Sequence, residues 1–295
     1  MGQEPPYHHP DWVDFMDVAA FREFIDVFRS VLEQGHPEAD FYPEEGVYRL
    51  SPQDTEGGLL NIAQICAKSP PDAWREMIED HLENLASITN SGRDSSFEEI
   101  RSQLKVRLFN LEMNPGWPLV TAPVCDEFIT TLVLDQPTTI ATITTDQVDG
   151  WGIPVPELFD IAMVNVWEFD AVEVTEFAPE HGFKMKVIES PSFFTTSHIL
   201  LLDRHLDFDP EKGLIVVIPN RHIVVFVAVE TGIERDLELM TRMAKELYVK
   251  GPGSITPSLL WLRKGQFEKV DLDRTDLGME FRGPEQLGRY LQGLE

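Results

Sequence analysis

At 295 residues, with 51 acidic against 24 basic side chains and a formal charge of -27, this chain excludes several function classes before any motif is read. Such a surface repels phosphate backbones and anionic bilayers, so no nucleic acid and no membrane is expected as a partner, whereas a basic protein surface is attracted. The 18 Phe, 6 Trp and 5 Tyr supply enough apolar area to argue against disorder, and the length suffices for one large core or two smaller ones.

The acid is unevenly placed. Residues 1–100 carry a net charge of -15, residues 101–200 a net -9 and residues 201–295 a net -3. From Leu108 to Phe183 there are 13 Asp and Glu but no Lys or Arg, so any electronegative face should come from the first two thirds. Cys66 and Cys125 are far apart and lack a partner motif, which favours two buried thiols over a disulfide. The start MGQEPPYHHP has no apolar core behind a basic stretch, and no apolar run nears the ~20 residues of a spanning helix. A cytoplasmic protein is the expectation.

Residues 1–14 read as a flexible arm. A helix is predicted from Asp17 to Gln34, with Asp17 as cap and Phe21, Phe24, Ile25, Phe28, Val31 and Leu32 on one face. Two strands follow, Gly46–Leu50 and Leu59–Ala67, around a polar loop containing Gly57 and Gly58. Pro70 and Pro71 open a second helix to Ile88, with Trp74, Met77, Ile78, His81, Leu82 and Leu85 as its buried stripe. Ser95 with Glu98, or Ser96 with Glu99, forms a capping box for a third helix to Leu108.

The Asn114-Pro115-Gly116 and Pro118 stretch is the best boundary. Beyond it, strands Phe128–Leu134 and Thr138–Thr144 flank an Asp135-Gln136-Pro137 turn, and a helix runs from Pro156 to Trp167. Leu214–Ile218 and His222–Val229 form the clearest hairpin, apolar throughout and therefore central in a sheet. Thr231 caps a helix Glu234–Tyr248 that stops before Gly251-Pro252-Gly253, and strands Ser258–Leu262 and Phe267–Val270 turn at Lys264-Gly265. The result is an α+β fold, with mixed or antiparallel sheets and helices packed on one face. Its parts are the arm, an N-terminal subdomain at 15–113, a second subdomain at 118–272, and a polar C-terminal tail at 273–295, where a short helix fits Pro284–Leu294.

Four segments carry a resemblance. They are Thr144-Thr145-Asp146-Gln147-Val148-Asp149-Gly150-Trp151-Gly152 with Ala162–Val166, then Ser192–Leu202, Val217–Arg221 and Glu230–Lys269. Across about residues 120–270 they resemble the DUF1444 (YtpQ-like, UPF0354) family of bacterial proteins of unknown function. The resemblance implies no chemistry. It also breaks where Thr195-Thr196 replaces an expected Asp-Ala pair and His222 replaces an expected acid.

One polar cluster could bind a ligand: Ser197, His198, Asp203, Arg204, His205, Asn220, Arg221 and His222. A Ser, a His and an Asp could form a nucleophile–base–orienter set, but no Gly-x-Ser-x-Gly elbow surrounds Ser197. The histidine spacing matches no zinc signature. The acidic runs Asp207–Gly213 and Asp271–Asp276 lack the register of a calcium loop and read as solvated turns. Arg101, Lys105 and Arg107 make the only basic patch of the middle third. No catalytic residue, metal or cofactor is therefore assigned. The leading expectation is a non-enzymatic acidic protein that binds a basic protein partner, regulatory or immunity-like. The alternative is a small-ligand-binding protein or hydrolase-like enzyme built on the Ser197–His222 cluster.

Overall fold

A computed structural model describes residues 10–50, 55–88, 96–110, 118–136, 140–177, 182–275 and 278–294. They fall into two units, the first ending at Arg93 and the second beginning at Asp94.

In the first unit, helix α1 (Val18–Gly35) buries all six residues of its predicted face, and the Asp17 carboxylate accepts from the Ala20 N–H at 2.8 Å. Each of those side chains contributes about 1.5–3 kcal/mol on burial, so truncating Phe24 alone costs about 3–5 kcal/mol. Strands β1 (Asp40–Tyr42), β2 (Val47–Leu50) and β3 (Thr55–Gly58) form an antiparallel sheet in that order. Gly57 lies opposite Tyr48, where a Cβ would come within 2.3 Å of the tyrosine ring, so the strand requires glycine.

Helices α2 (Leu60–Cys66) and α3 (Trp74–Ile88) complete the unit. The stretch predicted as strand Leu59–Ala67 is therefore helical. Leu59, Ile62, Ala63 and Cys66 all bury, which is helical spacing rather than alternation. The arm also needs correction. Asp11–Val13 form a 3-10 turn, Val13 is fully buried, and the Trp12 indole donates to the Pro43 carbonyl at 3.1 Å. Residues 1–9 lie outside the described residues.

The second unit opens with α4 (Phe97–Ile100), capped by reciprocal Ser96 and Glu99 bonds. It does not continue to Leu108. A 3-10 turn leads into strand β4 (Leu104–Asn110), because Leu104, Val106 and Leu108 alternate with Lys105, Arg107 and Phe109. The other strands of this sheet are β5 (Thr121–Pro123), β6 (Phe128–Asp135) and β7 (Ile140–Thr142). The order is β4-β6-β5, with β7 also on β6, and β4 is an edge. Pairing of β4 with β6 along its whole length carries residues 96–110 into this unit, so the division precedes the predicted 114–118 boundary. Asn114-Pro115-Gly116 itself lies outside the described residues. Helices α5 (Thr145–Trp151) and α6 (Val155–Phe169) cover the sheet through Val148, Leu158, Ala162 and Val166.

The second sheet is antiparallel, built from β8 (Val174–Phe177), β9 (Met185–Glu189), β10 (Leu214–Asn220), β11 (Ile223–Ala228), β12 (Leu259–Arg263), β13 (Gln266–Thr275) and β14 (Gly278–Arg282). Its order, β14-β13-β12-β10-β11-β9-β8, puts the predicted hairpin at the centre. Between β9 and β10 come a 3-10 turn, Thr195–Leu201, and α7 (Leu202–His205). Ile215 and Val217 face α8 (Glu234–Lys250) and α9 (Glu285–Leu291), while Leu214, Val216 and Ile218 face the 3-10 turn and Leu108 and Phe128. Two covered faces explain the unbroken apolar run.

Three smaller expectations also change. Ile233, not Thr231, stands at the α8 cap, and it makes no side-chain bond there. Asp271–Thr275 pair in β13 rather than forming a turn. The tail is not merely polar, since Leu287 and Tyr290 bury in the core under α8. Among the described residues no helix is long and apolar enough to cross a membrane. The α+β class with antiparallel sheets holds.

Candidate functional site

The segment from Ser190 to His205 crosses the open edge of β4, and the β10–β11 turn adjoins it. The cluster from Ser197 to His222 therefore gathers in one region but divides by role. The Ser197 hydroxyl is fully buried and donates to the Val106 carbonyl at 2.7 Å, fixing the 3-10 turn to the strand edge. Among the described residues it makes no hydrogen bond to a histidine, so its proton goes to a carbonyl and not to a base.

His198 is 1% exposed, with Nε2 2.7 Å from the Asp170 carbonyl and Nδ1 2.9 Å from His205 Nε2. A carbonyl only accepts, so His198 carries its proton on Nε2 and its Nδ1 accepts from His205 Nε2–H. Both imidazoles are held neutral. Burial lowers each pKa first; the nearby Asp170 opposes this for His198, as does Asp203 for His205. Trp167 sits 4.9 Å from the His205 ring and 5.5 Å from the Arg204 guanidinium. Asp203 borders a separate apolar pocket of about 290 Å³ with Ile199, Phe208 and Phe267.

Asn220 is structural. Its Nδ2 donates to the Leu247 carbonyl near the end of α8 at 3.2 Å, and its Oδ1 accepts from the His222 N–H at 3.0 Å. The Arg221 N–H bonds the Gly253 carbonyl at 2.9 Å. Gly253 has φ +70°, and a Cβ there would come within 2.6 Å of the Arg221 side chain. The Gly251-Pro252-Gly253 stop thus makes room for the arginine. Arg221 lies 4.3 Å over the Phe193 ring, and its Nε donates to His222 Nε2 at 3.0 Å. His222 therefore keeps its proton on Nδ1, 3.3 Å from the Ser190 carbonyl, and its pKa falls to about 4 through burial and the Arg221 charge.

Two basic residues of β4 belong to this region as well. Lys105 is 4% exposed and meets Asp135 at 2.6 Å, Asp170 at 2.5 Å and the Phe194 ring at 4.6 Å. Arg107 projects from the same strand face, and its Nε is buried without a hydrogen-bond partner. In the sequence both read only as a small basic patch.

Compared with protein-family models, curated proteins and solved structures, the chain matches none.

A second feature lies on α6. Its inner stripe packs on the four-stranded sheet, yet Val155, Val164, Trp167 and Phe169 remain exposed, Phe169 by 61%. A groove of about 510 Å³ runs beside the helix. Ile161, Val164 and Phe169 line it with Glu98, Asp160 and Glu168, and Arg101 is its one basic side chain. The signal was present in the sequence, because Val164, Trp167 and Phe169 fall off the face on which Leu158, Ala162 and Val166 recur at helical spacing. Among the described residues no three His, Cys, Asp or Glu side chains converge as a metal site, and both cysteines are free.

Proposed function

We propose that this is a non-enzymatic, cytoplasmic protein that docks a basic, amphipathic segment of another protein in the groove along α6. The carrying observation is the composition of that groove: apolar side chains left exposed on a helix and flanked by Glu98, Asp160 and Glu168. Exposed apolar residues grouped in this way mark interaction sites, and the acids select a Lys- or Arg-rich occupant. The block from Leu108 to Phe183, within which α6 falls, has no basic residue, and its charge disfavours nucleic acid and anionic membranes. Use of the Ser197 hydroxyl on a backbone carbonyl supports a role other than serine hydrolysis. A relationship to the DUF1444 family is part of the proposal and rests on the four segments named above.

The test is capture of partners by the tagged protein from its source organism at low and moderate salt, beside an Asp160→Lys/Glu168→Lys variant. A basic protein retained by the wild type, released as salt rises and absent with the variant supports the reading. The same set of proteins on both baits, or none on the wild type, overturns it.

A further inference from the structure

Arg107 and Arg221 carry charges that no carboxylate compensates among the described residues. Neither makes an ion pair among the described residues, although the chain has more than twice as many acids as bases. Arg221 is 8% exposed and spends its Nε on neutral His222, while the Arg107 Nε has no partner. Their proximity follows from the packing. Lys105 and Arg107 project from one face of β4, and Lys105 meets the Phe194 ring while the adjacent Phe193 lies under Arg221. The Ser197 bond to Val106, between those two basic residues, pins the intervening segment. The guanidiniums repel one another: burial and then the Arg107 charge draw Arg221 down to about 9, and burial draws Arg107 to about 10.

Arg221 is buried and Arg107 partly buried, and two such like charges without a counterion raise the free energy of the folded chain, which a bound anion relieves for both at once. We propose that Arg107 and Arg221, beside Phe193 and His222, form a binding site for a small molecule bearing a phosphate group. Phe193 is 41% exposed and marks where the site meets solvent. The planar guanidinium fork matches phosphate oxygens, and the neutral His222 orients Arg221 through its Nε. A small ligand fits better than a polyanion, because the acidic surface elsewhere opposes an extended phosphate chain. This site is independent of the α6 groove, so either reading can fail alone.

The experiment uses the full chain, with inorganic phosphate as probe at constant ionic strength and acetate as control, read by calorimetric titration and thermal unfolding. Saturable binding of one phosphate with a rise in Tm is expected. Arg107→Gln and Arg221→Gln should each weaken phosphate at least about tenfold, and Arg107→Gln should keep or raise the Tm of the unliganded protein, since it removes the repulsion. Should a Gln variant fail to fold, Arg221→Lys, which keeps the charge but loses the fork, must still weaken phosphate. No saturable response to about 10 mM phosphate, a response to acetate alone, or variants that bind as the wild type does would each overturn the proposal.

Discussion

Lys105 and Arg107 stand two residues apart on one face of one strand, yet they are treated oppositely. Lys105 receives two carboxylates, from Asp135 at the end of β6 and Asp170 just after α6, and a ring beneath its ammonium. Arg107 receives none among the described residues, and its charge is felt by another arginine, Arg221. Burial makes an isolated charge costly, so the first arrangement is how a fold retains a cation for its own architecture. The second leaves a charge whose compensation must come from outside. The contrast separates structural from ligand-directed basic residues, and it can be broken by experiment.

The largest effect should come from Lys105→Met. It leaves Asp170, whose side chain is 11% exposed, with the Ser192 hydroxyl but no cation, and a buried pair broken from one side loses about 3–5 kcal/mol. Arg107→Gln should change the stability of the unliganded protein by less than about 0.5 kcal/mol, or raise it. Denaturant unfolding of both variants measures the difference. Equal losses would mean that Arg107, too, is held by the fold itself.

Acid should produce the next largest effect. His198, His205 and His222 all have folded pKa values below the unfolded value of 6.5, so their contribution is complete above pH 6.5. It is lost as pH falls from there, through about 4 for His222, because the unfolded chain takes up protons that the folded chain refuses. The slope is at most about 1.4 kcal/mol per pH unit for each histidine, reduced by solvent for the half-buried His205 and His222. Unfolding at pH 7 and pH 5 should therefore differ by about 1–3 kcal/mol, and His222→Gln should flatten the dependence. An unchanged slope in that variant would show that His222 is not held neutral by Arg221. A wild type equally stable at both pH values would remove the neutral-histidine assignment altogether.

Legibility in the sequence followed the range of the interactions. Helix α1 was readable because six apolar residues at helical spacing suffice to specify an amphipathic helix. The β10–β11 hairpin was readable because a continuous apolar run implies two covered faces. Leu59–Ala67 was too short to separate strand from helix by hydropathy alone, and the Ser96 capping box drew β4 into a helix that ends at Ile100. Within the site, His198, His205, Arg221 and His222 were visible as a local density of polar residues. Their division was not, because it depends on Asp170 and on β4, which lies 91 residues before its Ser197 contact. Arg107 carries no local mark of its role, since what distinguishes it from Lys105 is which distant acids reach each one.

The smallest stability effect is expected at the α6 groove, and it decides what the capture experiment means. Asp160 and Glu168 are exposed on the outer side of the helix, and neither has an ion pair among the described residues. Replacing both by Lys removes two acids from a chain of net charge -27, which lowers self-repulsion slightly. It also places a cation at position 168, within the last turn of α6, where the helix dipole favours positive charge. The double variant should therefore unfold within about 0.5 kcal/mol of the wild type. A loss well beyond that would show that these acids hold the fold rather than face a partner. Only with stability unchanged does loss of a captured protein locate its docking site on α6, and the phosphate response of the same variant should then remain that of the wild type, because Arg107 and Arg221 are left intact.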